Sequence, residues 1–219
     1  DPILDPIHYG FLESISRYRE IRKKFPKIDI LMGIGNLTEL TDSDSAGVTT
    51  VLMGLVSELD VKGVLVVQVS NHCRNAIKEA DRARKLMFFA KSNQRLPIGI
   101  DKGLMCLREK KPSRLEKDEI SYIKSLVKDK NYRILLSKDG INTFNSKIFL
   151  TGLEPFEFYD SLEVGDDSSH AFYLGVELAR AQRAFQLRKN YNQDNELDWG
   201  VAVEKKEEDL NRRPDLKST

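Results

Sequence analysis

The sequence predicts an α/β protein in two parts, in which three successive βα units are followed by a smaller α+β domain. Over residues 1–90, short apolar runs alternate with segments of helical periodicity, which is typical of parallel sheets with right-handed crossovers. Beyond residue 90 this pattern ends. There the pair Asp139-Gly140 stands between two alternating segments and predicts an antiparallel hairpin.

The first βα unit opens with ILDPIHYGF, residues 3–11. Its strand is predicted to end at Asp5, because Pro6 has no N–H for a ladder hydrogen bond. A carboxylate at that point lies where parallel folds bind ligands, although Asp-Pro is also a common start of a turn. The following helix ends before Pro26, and its apolar residues recur at helical spacing: Phe11, Ile15, Tyr18 and Phe25.

The second and third strands are predicted over residues 28–36 (IDILMGIGN) and 63–70 (GVLVVQVS). Between them, TDSDS offers N-caps for a helix that is apolar almost all round and is therefore predicted to be buried. The third strand is continuous and β-branched, as strands covered on both faces are. Asn71 is predicted to cap the next helix, whose expected apolar face is Ala76, Ile77, Ala80, Ala83, Met87 and Phe88.

The second half is predicted to contain two further helices. Ser113 and Glu116 match the capping-box pattern S-x-x-E for a helix to about residue 128. A longer helix begins at Ser168 or Ser169 and runs to about Lys189, with Phe172, Val176, Ala179 and Phe185 on its expected buried side. The predicted division is 1–95 for the βα units, 96–112 for a connector, 113–203 for the α+β domain and 204–219 for a charged, disordered tail.

Composition limits the classes of function. The 219 residues include 35 basic and 34 acidic side chains, with a net charge of +1, which argues against a nucleic-acid interface. No apolar run approaches the roughly 20 residues of a membrane helix. Cys73 and Cys106 lack CxxC spacing, which favours a reduced, cytoplasmic setting. The chain opens at Asp1 inside an apolar strand, so we expect it to be part of a longer protein.

Each of the first three strands ends in polar residues. Because parallel strands end at one edge of their sheet, the side chains at those ends can converge on one cavity: Asp5, Gly35, Asn36, Gln68, Ser70 and Asn71. A carboxylate and an amide match the edge of a flat heterocycle, and glycine lets the backbone approach a ring. Turn formation explains each residue singly, but it does not explain why all three strands end on such groups.

Three of these stretches carry a resemblance to the pterin-binding barrels, the family of dihydropteroate synthase and the methyltetrahydrofolate:corrinoid methyltransferases. ILDPIHYGF resembles their sixth-strand motif, LMGIGN the next strand, and VVQVSN stands in place of the last. HAFYLGVELARA resembles the C-terminal domain of archaeal dihydropteroate synthase-like proteins, so the resemblance covers nearly the whole chain. It implies the last three βα units of a (β/α)₈ barrel, completed by the N-terminal part of the same protein.

The resemblance also implies a ligand, a reduced pterin of the folate or methanopterin type. Asp5 would hold its pyrimidine edge and Asn36 would contact its ring. An enzyme of this kind would be a transferase acting at the pterin C6 methylene or N5, in folate or tetrahydromethanopterin metabolism. In the absence of the other barrel strands, an unpaired sheet edge would favour homo-oligomers.

The sequence departs from the synthases at their cationic positions. Leu37 stands in place of the synthase lysine, and Gln68 and Ser70 replace the Arg-x-His pair. A diphosphate could then bind only to backbone N–H groups and a helix N-terminus around residues 71–74. We therefore expect little or no dihydropteroate synthesis. The alternative function is a non-catalytic module for assembly or carrier binding.

A second candidate site lies in the α+β domain, where His170, Tyr173 and Glu177 form a polar stripe at i, i+3 and i+7. An interdomain contact face explains the stripe equally well. No metal site is predicted, because His72 and Cys73 lack further ligands at metal spacing, and His8 fits an ordinary surface loop. The segment YNQDNELDW, residues 191–199, has no predicted function.

Overall fold

A computed structural model describes residues 3–203, so the predicted disordered tail lies outside the described residues. The chain divides into two compact units. One is formed by the chain up to Cys106 and again from Trp199, and the other is Leu107–Asp198. The boundary between Cys106 and Leu107 falls within residues 96–112, the segment predicted as a connector. Both units mix helices with a small sheet, which makes the protein a mixed α/β structure.

Over its described residues the first unit has two short strands, four α-helices and two 3₁₀ turns, at Asn71–Cys73 and Gly200–Ala202. In chain order the helices and strands are α1 (Phe11–Lys24), β1 (Leu31–Gly33), α2 (Gly35–Glu39), α3 (Ser45–Glu58), β2 (Gly63–Leu65) and α4 (Ala76–Ser92).

The parallel arrangement predicted for the second and third segments is confirmed. β1 pairs with β2 in parallel, with Met32 opposite Val64. The predicted opening strand is reduced to one parallel bridge between Ile3 and Gly33, supported by a 3.0 Å hydrogen bond from the Leu4 N–H to the Gly33 carbonyl. The three chain segments therefore run side by side in one direction, and their carboxyl ends lie at one edge.

The core of this unit lies between the parallel segments and three helices. Its members include buried side chains of the segments and of α1, α3 and α4: Leu4, Met32, Ile34, Tyr18, Leu52, Met53, Val56 and Ala83. At the end of α1, the Arg22 guanidinium donates to backbone carbonyls that include Ile28 and Leu59. These bonds tie the C-terminal ends of α1 and α3 together, where helix carbonyls lack intrahelical partners.

Several burial predictions for this unit are wrong. β2 ends at Leu65, and Val69 is 84% exposed, so the third strand is not covered on both faces. α3 exposes Val51 instead of being buried all round. The N-cap of α4 is Asn75, not Asn71, and Ile77 and Phe88 are exposed. The physical reason is that α4 packs on α3 and buries the face that carries Ala76, Ala80 and Ala83.

The second unit is built around an antiparallel sheet in which β3 (Arg133–Leu136) pairs with β4 (Ile141–Phe144) and β4 pairs with β5 (Phe149–Gly152). The predicted hairpin is confirmed: Leu136 pairs with Ile141 across the turn that contains Asp139 and Gly140. A long helix packs on β3 and β4. Over the described residues the elements are α5 (Lys117–Leu126), β3 (Arg133–Leu136), β4 (Ile141–Phe144), β5 (Phe149–Gly152), a 3₁₀ turn (Pro155–Ser161) and α6 (Ser168–Gln186).

Two helix details of the second unit differ from the prediction. The capping box of α5 is formed by Glu116 and Glu119, three residues beyond the predicted box of Ser113 and Glu116. On α6, Phe172 is 76% exposed, and Val176, Ala179 and Phe185 are only partly buried. The fully buried face lies one or two positions away, because that face meets the sheet: Leu174, Glu177, Leu178, Ala181 and Ala184.

Candidate functional site

Asp5 lies at the end of the first parallel segment, in contact with α1. Its Oδ2 accepts hydrogen bonds from the Ser14 hydroxyl at 2.6 Å and from the Arg17 guanidinium at 2.7 Å. These contacts, the Ser14 bond first, lower the pKa of the Asp5 carboxyl. α1 can supply both donors because Ser14 and Arg17 are three residues apart on one helix face. Sequence analysis missed this pair, although that spacing is visible in the sequence.

Asn36 lies beside the residue that precedes Asp5. Its Nδ2 donates to the Leu4 carbonyl at 3.2 Å, which joins the ends of the first two segments. The neighbouring Gly35 is required for packing: a Cβ at this position would lie 2.3 Å from Cγ2 of Val67. Gly35 therefore permits the close approach of a side chain from the third segment.

The loop after β2 is held by Glu39, which ends α2. The Glu39 carboxylate accepts the Val69 N–H at 2.8 Å and the Ser70 N–H at 3.0 Å. Hydrogen bonds from Ser70 and Val69, in that order, lower the pKa of Glu39. The Thr38 carbonyl lies 3.0 Å from Nε2 of His72. Ser70 and Asn71 are thus fixed close to the helix that carries Asn36, whereas Gln68 lies in an exposed part of the loop.

A buried glutamate on α4 is linked to the same loop through the Ser45 hydroxyl. The Ser45 hydroxyl lies 3.0 Å from Oε1 of Glu79 and 2.9 Å from the His72 carbonyl. Oε2 of Glu79 has no hydrogen-bond partner in the described part of the chain, and burial raises the pKa of this carboxyl. The sequence held a signal for it, because Glu79 shares a helix face with Ala76 and Ala83.

Some of the backbone N–H groups suggested for a diphosphate are already engaged within the chain. Besides the two N–H groups bound by Glu39, the Cys73 N–H donates to the Ser70 carbonyl and the Arg74 N–H to the Asn71 carbonyl. The local helix is a 3₁₀ turn of three residues. Two of the four N–H groups of residues 71–74 are therefore already used within the chain.

In the second unit, two of the three predicted stripe residues belong to one hydrogen-bond network. Glu177 is 1% exposed and binds the Arg180 guanidinium at 2.6 Å, the Tyr191 hydroxyl at 2.8 Å and the Asp194 N–H at 3.2 Å. Tyr173 donates to Asp194 at 2.6 Å. The segment 191–199, which has no function predicted from its sequence, therefore supplies most of the partners. Glu177 is internal, and His170 and Tyr173 lie at the surface edge of the network.

No grouping of three or more His, Cys, Asp or Glu side chains within residues 3–203 has the arrangement of a metal site. None of the helices in that range combines the length and hydrophobicity needed to cross a bilayer.

Comparison with curated proteins finds a relative of this chain. The chain is 30% identical over 224 residues to an uncharacterized protein of Methanocaldococcus jannaschii. The match covers 90% of this chain and 42% of that protein, so the chain spans less than half of the relative's length. No protein-family model matches the chain, and no solved structure matches it.

Proposed function

We propose that the first unit binds a reduced pterin at the edge where its parallel segments end. The observation that carries the proposal is Asp5, a carboxylate at the end of a parallel segment that Ser14 and Arg17 keep ionised. The pyrimidine edge of a pterin presents two neighbouring N–H donors. Ser14 and Arg17 both bond Oδ2 of Asp5, and the other carboxylate oxygen, Oδ1, can accept charge-assisted hydrogen bonds from these ring donors.

Asn36 is the second contact in this proposal. The Asn36 side chain donates to the carbonyl of Leu4, the residue that precedes Asp5. Its amide oxygen can accept a further hydrogen bond. Ser70 and Asn71 are held near the same helix by Glu39. A ring that bonds Asp5 would therefore meet polar groups from all three segments.

The proposal extends the parallel segments to a (β/α)₈ barrel whose other strands come from further sequence of the same protein. Two observations support this extension. The parallel order of three successive segments is that of a barrel wall. The matched part is less than half of the M. jannaschii relative, which leaves enough chain for five more strands.

The chemistry we propose does not include release of diphosphate. Leu37 is buried, Ser70 gives its N–H to Glu39, and Glu39 adds a negative charge at that point of the loop. The three positions that are cationic in the synthases, here Leu37, Gln68 and Ser70, carry no positive charge, and electrostatic stabilisation of a leaving group is typically worth about a hundredfold in rate or more. This observation favours either transfer to a pterin without diphosphate or a non-catalytic module for assembly or carrier binding.

Titration calorimetry with 6-hydroxymethyl-7,8-dihydropterin tests the proposal, in the full-length polypeptide that carries this chain. Asp5→Asn keeps the shape of the side chain and removes its charge, and we expect affinity to fall about tenfold or more. Asp60→Asn is the matched control, because Asp60, like Asp5, is an aspartate that forms an ion pair with a cation, in this case Lys91. It precedes β2, at the other end of the strand.

Equal pterin affinity in the wild type and Asp5→Asn would overturn the binding proposal. An assay for condensation with p-aminobenzoate on the same preparation tests the chemistry separately. We expect no dihydropteroate, and robust formation of it would contradict the conclusion drawn from Leu37 and Glu39.

A further inference from the structure

The second unit contains a depression of about 300 Å³ between α6, the start of β3 and the segment 191–194. This volume is at the lower end for small-molecule sites. Its lining includes six residues with polar or aromatic side chains: Tyr132, Arg133, His170, Tyr173, Gln193 and Asp194.

The segment 191–194 forms one wall of the depression and is held by hydrogen bonds at Gln193 and Asp194. Oε1 of Gln193 accepts the Ile134 N–H at 2.9 Å, and its Nε2 donates to the Tyr132 carbonyl at 3.1 Å. The amide thus takes the place of a neighbouring strand on the edge of β3. The next residue, Asp194, has φ 69° and gives its N–H to the buried Glu177. The wall is therefore preorganised, which lowers the entropic cost of binding a ligand.

One carboxylate in the depression, that of Asp194, has no ion-pair partner within residues 3–203. The Asp194 carboxylate accepts the Tyr173 hydroxyl at 2.6 Å, but no cationic side chain in residues 3–203 forms an ion pair with it. Arg133, which also lines the depression, is already paired with Asp129 at 2.9 Å. The charge of Glu177 is balanced by Arg180. Asp194 is therefore the carboxylate of this depression to which a cationic ligand could bind.

The hydrogen-bond order fixes Asp194 as an acceptor. Nε2 of Gln193 donates to the Tyr173 oxygen at 2.9 Å, so the Tyr173 proton points to Asp194. Aromatic rings complete the lining: the His170 ring centroid lies 6.2 Å from that of Tyr132 and 6.3 Å from that of Tyr173. A carboxylate beside aromatic rings is a favourable environment for an organic cation.

We propose that this depression binds a small organic cation of the primary alkylammonium class, with Asp194 as its ion-pair partner and the rings of His170 and Tyr173 against its alkyl part. The ammonium would donate to the Asp194 carboxylate, and a chain of a few carbons fits the volume. This site lies within the second unit and does not depend on pterin binding by the first.

NMR titration of the full chain with n-butylammonium tests the proposal. We expect perturbed side-chain signals of Tyr173 and Gln193, and binding about tenfold weaker in Asp194→Asn, which loses a charge-assisted hydrogen bond. Asparagine is well tolerated at positive φ, so this variant should keep the backbone. Asp160→Asn is the matched control, since Asp160 is exposed in the same unit and does not line the depression.

A second comparison, 1-butanol on the wild type, needs no variant. Butanol has nearly the same size without the charge, and we expect no perturbation by it at the same concentration. Perturbation by a peptide with an internal lysine, stronger than by n-butylammonium, would identify a protein lysine as the source of the same cation. No response to either cation, equal binding by Asp194→Asn, or equal binding of butanol would overturn the proposal.

Discussion

Each unit buries a glutamate on a long helix, Glu79 on α4 in the first unit and Glu177 on α6 in the second. Glu177 receives three hydrogen bonds, one of them from the Arg180 guanidinium. Glu79 is 5% exposed and has one hydroxyl donor, Ser45, while its Oε2 has no partner within residues 3–203. Burial raises the pKa of Glu79, because desolvation disfavours the charged form of a carboxyl group.

This difference assigns the two glutamates different tasks. Glu177 organises a segment, because it binds Tyr191 and Asp194 and so positions the wall of the depression. Glu79 supports a loop through Ser45 alone. The burial of its Oε2 without a hydrogen bond in the described part of the chain lowers the free energy of unfolding. The comparison therefore predicts opposite responses to the same isosteric substitution, made in one unit or in the other.

The largest effect is expected from Glu177→Gln. The amide would set an NH₂ group against either the Arg180 guanidinium or the two donors Tyr191 and Asp194. Breaking one member of a buried, hydrogen-bonded ion pair typically costs about 3–5 kcal/mol of the free energy of unfolding. Chemical denaturation followed by circular dichroism measures this loss. A change as small as that of Glu79→Gln would show that the two sites are equivalent and break the comparison.

An intermediate effect is expected from Gly35→Ala in the first unit. A Cβ would lie 2.3 Å from Cγ2 and 2.7 Å from Cβ of Val67, and overpacking of this kind costs about 1–3 kcal/mol. Gly47→Ala is the matched control, because nothing lies within 4 Å of a Cβ on that helical glycine. It should be neutral or stabilising by up to about 1 kcal/mol. Equal effects of the two substitutions on the unfolding midpoint would contradict the packing role of Gly35.

The smallest effect is expected from Glu79→Gln, and it depends on pH. Burial raises the pKa of Glu79 in the folded state above its usual value of 4.5, so the folded protein holds a proton that the unfolded chain releases. Its contribution to stability is complete below pH 4.5 and is lost as the pH rises through the folded-state pKa. Glu79→Gln should therefore gain stability relative to the wild type from acidic to neutral pH.

Unfolding free energies of both proteins across that pH range measure this difference. A difference that stays constant with pH, or that falls as the pH rises, would mean that Glu79 does not titrate between the folded and unfolded states.

The second unit was the more predictable from sequence, because its signals are local. Asp139-Gly140 fixes a hairpin by turn geometry alone, and Gly140 has φ 149°. In the first unit, the lengths of the parallel strands depend on neighbours distant in sequence. GVLVVQVS therefore looked like a full strand, although only Gly63–Leu65 pairs.

The candidate sites show the same limit. Asp5, Asn36 and the stripe of α6 could be found from strand ends and helical spacing. Their partners could not, because Glu39 reaches 30 residues along the chain to Val69, and Glu177 receives bonds from a loop 14 and 17 residues away. Helix faces were misjudged by one or two positions, as with Phe172, because apolarity alone does not tell which face meets the sheet.

Hydrogen–deuterium exchange of the full-length polypeptide, with and without 6-hydroxymethyl-7,8-dihydropterin, tests the central claim most directly. The account predicts slower exchange at the backbone of residues 5–14 and 35–39, and unchanged exchange throughout 107–198. Asp5→Asn should abolish the protection at the same ligand concentration. Protection confined to 107–198, or absent from the ends of the parallel segments at saturating pterin, would contradict the account.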